Sequence, residues 1–362
     1  MNMLTCHAEL RLRQLPDYLP RIVDRLASFE ADVEERADGA DFTYGFGSAS
    51  LRTSSAGLAM ELQARSADGL QRVRELVTVA VQIYARQESP EIVWRGDLAG
   101  DRNLATFRKM RVRHVETVTP HMRRVRLEGE NLSRYGQFGG LHIRMLFPTP
   151  ANPDPVWPLA GPNGLPLWPS EERRPVARVY TIRRLDAQAG FMDVDFVMHG
   201  EGGSAEGIAA AWAQQARAGD EVGIIGPLGR PIRQTGWYVL GCDETGLPAA
   251  SRILEQLAPE TRGVAFIEVA DEAERQPISH PAGMSVNWIF RNGVPAGEHA
   301  QLVETVAGVE WPAQGSRFGW FAAEAEAARK LRDHWRNGLS YGRDETLVAG
   351  YWQRGKTGVM AG

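Results

Sequence analysis

Apolar positions in the first quarter of the chain form two helical stripes separated by short alternating runs. Tyr18, Ile22, Val23, Leu26 and Phe29 recur at the spacing of one helix face over residues 15–29. Leu70, Val73, Leu76, Val77, Ala80 and Tyr84 do so over 68–87, with Asp68 as the expected N-cap. Residues 42–46, 50–53 and 58–64 have the short alternating pattern of half-buried strands. Together these predict an α+β unit over residues 4–95. Glu88-Ser89-Pro90-Glu91 ends its last helix, and residues 95–101 read as a linker.

From residue 105 to 230 the helical stripes disappear. Six extended segments, 111–118, 123–128, 142–147, 177–183, 191–197 and 221–225, are separated by turns, the texture of a small antiparallel barrel. Residues 148–175 carry Pro148, Pro150, Pro153, Pro155, Pro158, Pro162, Pro166, Pro169 and Pro175, too many for regular structure. They are expected to form a long surface loop beside the ligand site, with mobility. Beyond Gly236, apolar strands at 237–242, 262–269, 286–290 and 317–322 alternate with helices at 249–257 and 324–337, which predicts a doubly wound α/β domain. The expected domains are therefore an accessory α+β unit at 1–97, a barrel at 104–234 and an α/β domain at 235–362. No internal repeat is visible.

Composition narrows the function classes. With 41 Lys and Arg against 45 Asp and Glu in 362 residues, the formal charge is -4, and no basic excess argues for nucleic acid. Two cysteines, Cys6 and Cys242, lie far apart and in no zinc-like spacing, so neither a disulfide framework nor a metal site is expected. The reduced cytoplasm is the expected compartment. No signal peptide and no apolar run of about 18 residues is present, so no integral membrane segment is expected.

The candidate chemistry lies in the barrel and the junction that follows it. Arg178-Val179-Tyr180-Thr181 presents a cation, a flat ring and a hydroxyl on one extended segment. That set suits a ligand with a pyrophosphate, a planar ring system and a hydrogen-bonding ring nitrogen, namely a flavin dinucleotide. A barrel strand with one exposed Arg and a half-buried Tyr-Thr pair is the plainer alternative for this segment alone. The run from Gly200 to Trp212 is glycine-rich, ends a strand and opens a helix, so its amides suit a phosphate. Gly241-Cys242-Asp243-Glu244-Thr245-Gly246-Leu247-Pro248-Ala249 sits at the carboxyl end of the first α/β strand, where open sheets bind nucleotides. An ordinary turn capped by Asp243 or Thr245 is the alternative there, and Cys242 reads as a buried structural thiol.

Five motifs in order resemble the siderophore-interacting proteins, flavin-dependent ferric-siderophore reductases of the ferredoxin-reductase-like superfamily. Over residues 105–356 these are Arg178-x-Tyr180-Thr181, the strand with Asp195 ending at His199-Gly200, and the turn with Gly207, Ala209, Trp212 and Ala213. Asp243-x-Thr245-x-Leu247-Pro248-Ala249 and the terminal Gly350-Tyr351-Trp352-x-x-Gly355 complete the set. Residues 4–95 are similar to a small uncharacterised domain fused ahead of such reductases. The sequence departs from the family in extra residues between His199 and Gly207, and in Ile208, where proline is common before the helix.

The resemblance implies an antiparallel Greek-key barrel for FAD followed by an α/β domain for NADPH or NADH. It implies that Arg178, Tyr180, Thr181, Val197, His199, Gly207, Ala209, Ala210, Ala211 and Trp212 line the flavin, with Tyr180 and Thr181 nearest the chemistry. Asp243, Thr245, Leu247, Pro248 and Glu324 are the expected nicotinamide dinucleotide site, with helix capping the alternative for Glu324; Tyr351 and Trp352 are the expected cover of the flavin or nicotinamide pocket, with a docking anchor the alternative. Arg144, Arg291, Arg354 and Lys356 are the cations expected to attract an anionic ferric siderophore or chelate. The expected activity is NAD(P)H-dependent reduction of that chelate. The rival expectations are a general flavin reductase serving a redox-protein partner, and a binding or sensing module without reductase activity.

Overall fold

The computed structural model describes residues 3–55, 57–198, 207–229 and 231–356. It resolves into two compact units, residues 1–108 with Asn152–Pro175, and residues 109–151 with 176–362.

In the first unit, β1 (Leu4–Leu10), β2 (Asp32–Arg36), β3 (Gly39–Tyr44), β4 (Gly47–Ser54), β5 (Gly57–Ala64) and β6 (Arg95–Gly96) form one antiparallel sheet in the order β2-β3-β4-β5-β1-β6. Helices α1 (Leu15–Ala27) and α2 (Ala67–Tyr84) set their apolar stripes into its core. Ile22 and Leu26 are wholly buried there, each worth about 1.5–3 kcal/mol. The cap of α2 is Ser66, whose hydroxyl accepts from the Gly69 amide at 3.1 Å; Asp68 instead lies in the first turn. A short hydroxyl reaches back to the third amide, which corrects the sequence expectation.

The proline-rich segment is also corrected, because it packs as part of this unit. The Trp94 indole donates to the Thr78 hydroxyl at 3.0 Å, and Thr78 donates to the Asn163 carbonyl at 3.1 Å. The Ala160 amide donates to the Arg102 carbonyl at 2.9 Å, and Trp157 lies against Phe107. Its prolines leave room for one two-residue ladder, β10 (Leu159–Ala160) with β11 (Pro166–Leu167).

In the second unit, β7 (Phe107–Thr119), β8 (Met122–Glu128), β9 (His142–Phe147), β12 (Val176–Asp186), β13 (Phe191–Val197) and β14 (Glu221–Leu228) close into a barrel, ordered β12-β13-β8-β7-β14-β9. Alternation sends Val125, Leu127, Ile143, Met145, Ile182, Met192, Val194 and Phe196 into the interior. Outside, Arg124 and Arg126 make forked bonds of 2.7 and 2.8 Å each to Asp195 and Asp193, directly across β8 and β13. Asp195 is thus a register-fixing partner within the barrel. A short helix, α3 (Arg134–Gln137), precedes β9, and α4 (Ile208–Gln215) packs Ala209, Ala210 and Ala213 onto the barrel core.

The chain then builds a parallel sheet from β15 (Trp237–Cys242), β16 (Arg262–Val269), β17 (Gly283–Phe290), β18 (Arg317–Glu324) and β19 (Thr346–Trp352), in the order β17-β16-β15-β18-β19. Helix α5 (Leu247–Gln256) covers one face, and α6 (Gln301–Ala307) and α7 (Ala325–Asp333) the other. Tyr238, Leu240 and Cys242 point to the first face, and Val239 to the second. Gly241 also turns to the second, where a Cβ would meet Phe321 and Val306 at 2.7 Å. Barrel and sheet are joined by an Arg183 fork on Glu255 (2.7 and 2.9 Å), by Arg252 donating to the Ile182 carbonyl, and by buried Glu274. That carboxylate takes the Thr119 hydroxyl at 2.5 Å and the His121 amide at 2.9 Å.

Candidate functional site

Period two sets the geometry of the Arg178–Thr181 strand. Arg178 and Tyr180 pair across from Met145 and Ile143 on the side of the barrel interior, whereas Thr181 pairs with His142 on the outer side. The Tyr180 ring is half-buried on Phe196, centroids 4.4 Å apart, inside a cluster with Phe147 and Trp212. It buttresses the barrel rim rather than standing alone as an open platform, and burial pushes its phenol up. Trp212, Ala209 and Ala210 serve first to seat α4, while Ala211 is only half-buried on it.

Two groups on this strand are left for a ligand. Arg178 is half-buried and donates only to the Ala177 carbonyl, with no carboxylate partner among the described residues. Thr181 is 5% exposed, and no described residue hydrogen-bonds its hydroxyl. Among the described residues the start of α4 at Gly207 has no side-chain cap and nothing lies against Gly207, whose φ is +90°. An unpaired guanidinium, an unengaged hydroxyl and an uncapped helix start fit the phosphates and ring edge of FAD. Val197 is half-buried against the sheet. His199 and the turn at 200–206 lie outside the described residues.

Across from Thr181 the neighbouring strand β9 carries His142, which the sequence reading did not single out. Its Nε2 lies 2.6 Å from the Tyr351 hydroxyl of β19, the two rings meeting edge to face. Burial pushes the imidazole down to about 4, with Arg252 adding to the effect, so it is neutral near pH 7. Its folded pKa lies below the unfolded value of about 6.5. The stability it contributes is therefore present above about pH 6.5 and is lost as pH falls through 4. His142→Asn is expected to flatten this loss, and urea midpoints at pH 7.5 and pH 5 will show a smaller difference in the variant than in the wild type.

At the carboxyl edge of the sheet, Asp243 is the hub. Its Oδ1 accepts from the Thr245 amide (2.9 Å), the Thr245 hydroxyl (2.5 Å) and the Gly246 amide, while Oδ2 accepts from the Trp352 indole at 2.7 Å. Burial pushes its carboxyl up and Glu244 adds to this, with the Thr245 and Trp352 donors pulling back. The capping alternative therefore describes Asp243 and Thr245 well. Gly246 is required, since a Cβ there would meet the Ala322 carbonyl and Cys242 at 2.6 Å. Leu247 and Pro248 bury their side chains in α5, so any part they take in nucleotide binding is through the backbone. Glu324 caps α7, accepting from the amides of Glu326 and Ala327, and takes the Arg354 amide at 3.2 Å. Cys242 is wholly buried, as a structural thiol should be.

The four expected substrate cations separate. Arg291 is 6% exposed, with a fork on Glu244 (2.7 and 2.8 Å) and a 3.5 Å contact to Glu268, whose other oxygen meets His299 at 3.0 Å. This corrects its assignment: it neutralises buried carboxylates and does not face an incoming chelate. Arg354 pairs with Glu298 at an exposed position, Lys356 is exposed, and Arg144 is half-buried on β9.

Comparisons with known proteins place these features in context. Residues 111–231 match the family profile of the siderophore-interacting FAD-binding domain, and 235–355 that of the siderophore-interacting protein. Residues 7–95 match a family described as an uncharacterized protein conserved in bacteria. Ferric vibriobactin reductase ViuB of Vibrio cholerae is 35% identical over 245 residues, covering 66% of this chain and 86% of that protein. The NADPH-dependent ferric-chelate reductase of Escherichia coli is 29% identical over 257 residues, covering 69% and 94%. The structure of the siderophore-interacting protein SipS from Aeromonas hydrophila is similar with a TM-score of 0.59 at 31% identity, covering 70% of this chain and 94% of that one.

Proposed function

The chain belongs to the siderophore-interacting protein family, and from that premise we propose that it is an NAD(P)H-dependent, FAD-containing ferric-siderophore reductase releasing iron as Fe(II) in the cytoplasm. The observation that carries this reading is the unpaired Arg178 and unengaged Thr181 on one barrel strand, beside the His142–Tyr351 contact to the sheet. Arg178, with the first amides of α4, would hold the pyrophosphate, and Tyr180 would back the ring system from the rim. Thr181 would present its hydroxyl to a ring nitrogen. When bound, FAD supplies hydride acceptance from NAD(P)H and single-electron donation to ferric iron.

What the chain's own groups do is hold and orient. Neutral His142 fixes Tyr351 over the junction, and Asp243 fixes Trp352, so β19 is pinned to both neighbours at the flavin side of the nucleotide edge. Among the described residues no helix is long and apolar enough to cross a membrane, and both cysteines are free and buried. Lys356 and Arg354 are the exposed cations at the end of β19 suited to an anionic ferric chelate, Arg354 exchanging a weak surface pair for it.

The test is steady-state Fe(II) formation from a ferric catecholate or ferric citrate, followed with an Fe(II)-specific chromophore. With FAD and NAD(P)H present, Fe(II) is expected to accumulate at two per nucleotide consumed. Nucleotide-independent iron binding with no Fe(II) would leave a binding module as the better account.

A further inference from the structure

The carboxyl edge of the parallel sheet carries a charge arrangement that bears on which nucleotide it takes. Strand order reverses between β15 and β18, the crevice where an open sheet receives a dinucleotide. Strand β9, which pairs His142 with Thr181 of β12, meets the sheet at β19 through His142 and Tyr351. The hydride end of the nucleotide therefore lies toward β18 and β19, and the adenosine end toward β16 and β17. In that half, an NADH-binding sheet uses a carboxylate at the end of its second strand to grip the ribose hydroxyls, and an NADPH-binding one places an arginine there for the 2′-phosphate.

The carboxylate at that position, Glu268, is withheld. Its side chain is 4% exposed, with one oxygen facing Arg291 at 3.5 Å and the other His299 at 3.0 Å. Arg291 is withheld in turn by its fork on Glu244. A different cation is presented. Arg275, just past the end of β16, lays its guanidinium over Phe290 at the end of β17, 4.9 Å from the ring centroid, with half of its side chain exposed. Its one carboxylate contact among the described residues is Glu272 at 3.8 Å, exposed on both sides and weak. The other acids of this segment are engaged: Asp271 accepts from the Ala273 amide, and Glu274 holds Thr119 and His121. A guanidinium placed over a ring, with half of its side chain exposed, keeps N–H groups available to phosphate oxygens.

We propose that Arg275 is the specificity-determining residue for the nucleotide, receiving the 2′-phosphate of NADPH, so that the protein selects NADPH over NADH. This rests on the reductase reading above. The test uses the full-length protein loaded with FAD and titrated calorimetrically with 2′,5′-ADP and with 5′-ADP, probes that lack the nicotinamide and cannot turn over. Wild type is expected to bind 2′,5′-ADP at least tenfold more tightly, and Arg275→Gln to bring the two affinities within twofold of each other. Glu272→Gln, which removes the competing carboxylate, is expected to tighten 2′,5′-ADP. Equal wild-type affinities, or selectivity that survives in Arg275→Gln, overturn the assignment. If NADH still bleaches the wild-type flavin in that case, the reductase reading stands without it. A protein that binds neither probe, and whose flavin neither nucleotide bleaches, overturns the assignment together with the reading beneath it.

Discussion

Arg178→Ala is expected to emerge from purification without flavin and to bind added FAD at least a hundredfold more weakly than wild type. Two charge-assisted hydrogen bonds from one guanidinium to a pyrophosphate contribute about 1.5–3 kcal/mol each, and a factor of ten corresponds to about 1.4 kcal/mol. The fold should not suffer, because Arg178 is half-buried and, among the described residues, bonded only to the Ala177 carbonyl. Flavin fluorescence quenching gives the affinity, and an unchanged far-ultraviolet circular dichroism spectrum separates lost binding from lost structure. An Arg178→Ala protein that holds FAD as tightly as wild type would remove the anchor of the proposed site.

The second large effect concerns stability. Arg291→Ala leaves Glu268 and Glu244 buried without their counter-charge, and breaking a buried pair by deleting one partner costs about 3–5 kcal/mol. The urea midpoint of the α/β domain, followed by tryptophan fluorescence, should fall accordingly. Arg291→Lys should rescue only part of the loss, because an ammonium cannot reproduce the fork on Glu244. Had Arg291 faced the substrate, as its charge alone suggested, stability would be untouched and the KM for the ferric chelate would rise instead.

Arg291 also shows what the sequence concealed. Its partners lie 47 and 23 residues away, at the ends of two other strands, and no local spacing marks them. By contrast, the barrel and the first four strands of the parallel sheet were legible, because alternation and apolar runs are local signals of burial. Helix α6 was missed because seven residues make barely two turns, and β19 because Gly350 and two aromatics obscure its short apolar run. The proline-rich segment misled for a physical reason: prolines exclude ladders but not packing, and Thr78, Trp94 and Arg102 hold it through side-chain and carbonyl bonds. At the site, Arg178 and Thr181 could be chosen by residue type. His142 could not, since one histidine at the head of an apolar strand carries no periodic signal, and its role appears only when Tyr351 arrives from 209 residues away.

In this protein, reducing equivalents are expected to pass from a nicotinamide nucleotide through protein-bound FAD to ferric iron. The most direct test of that electron path is the visible spectrum of the FAD-loaded protein under strict anaerobiosis, recorded before NADPH, after it, and again after a ferric hydroxamate or ferric citrate. Flavin bands that bleach with the nucleotide and return with the iron chelate are the predicted result. A flavin that never bleaches, or that bleaches and stays bleached when the chelate is added, would contradict it.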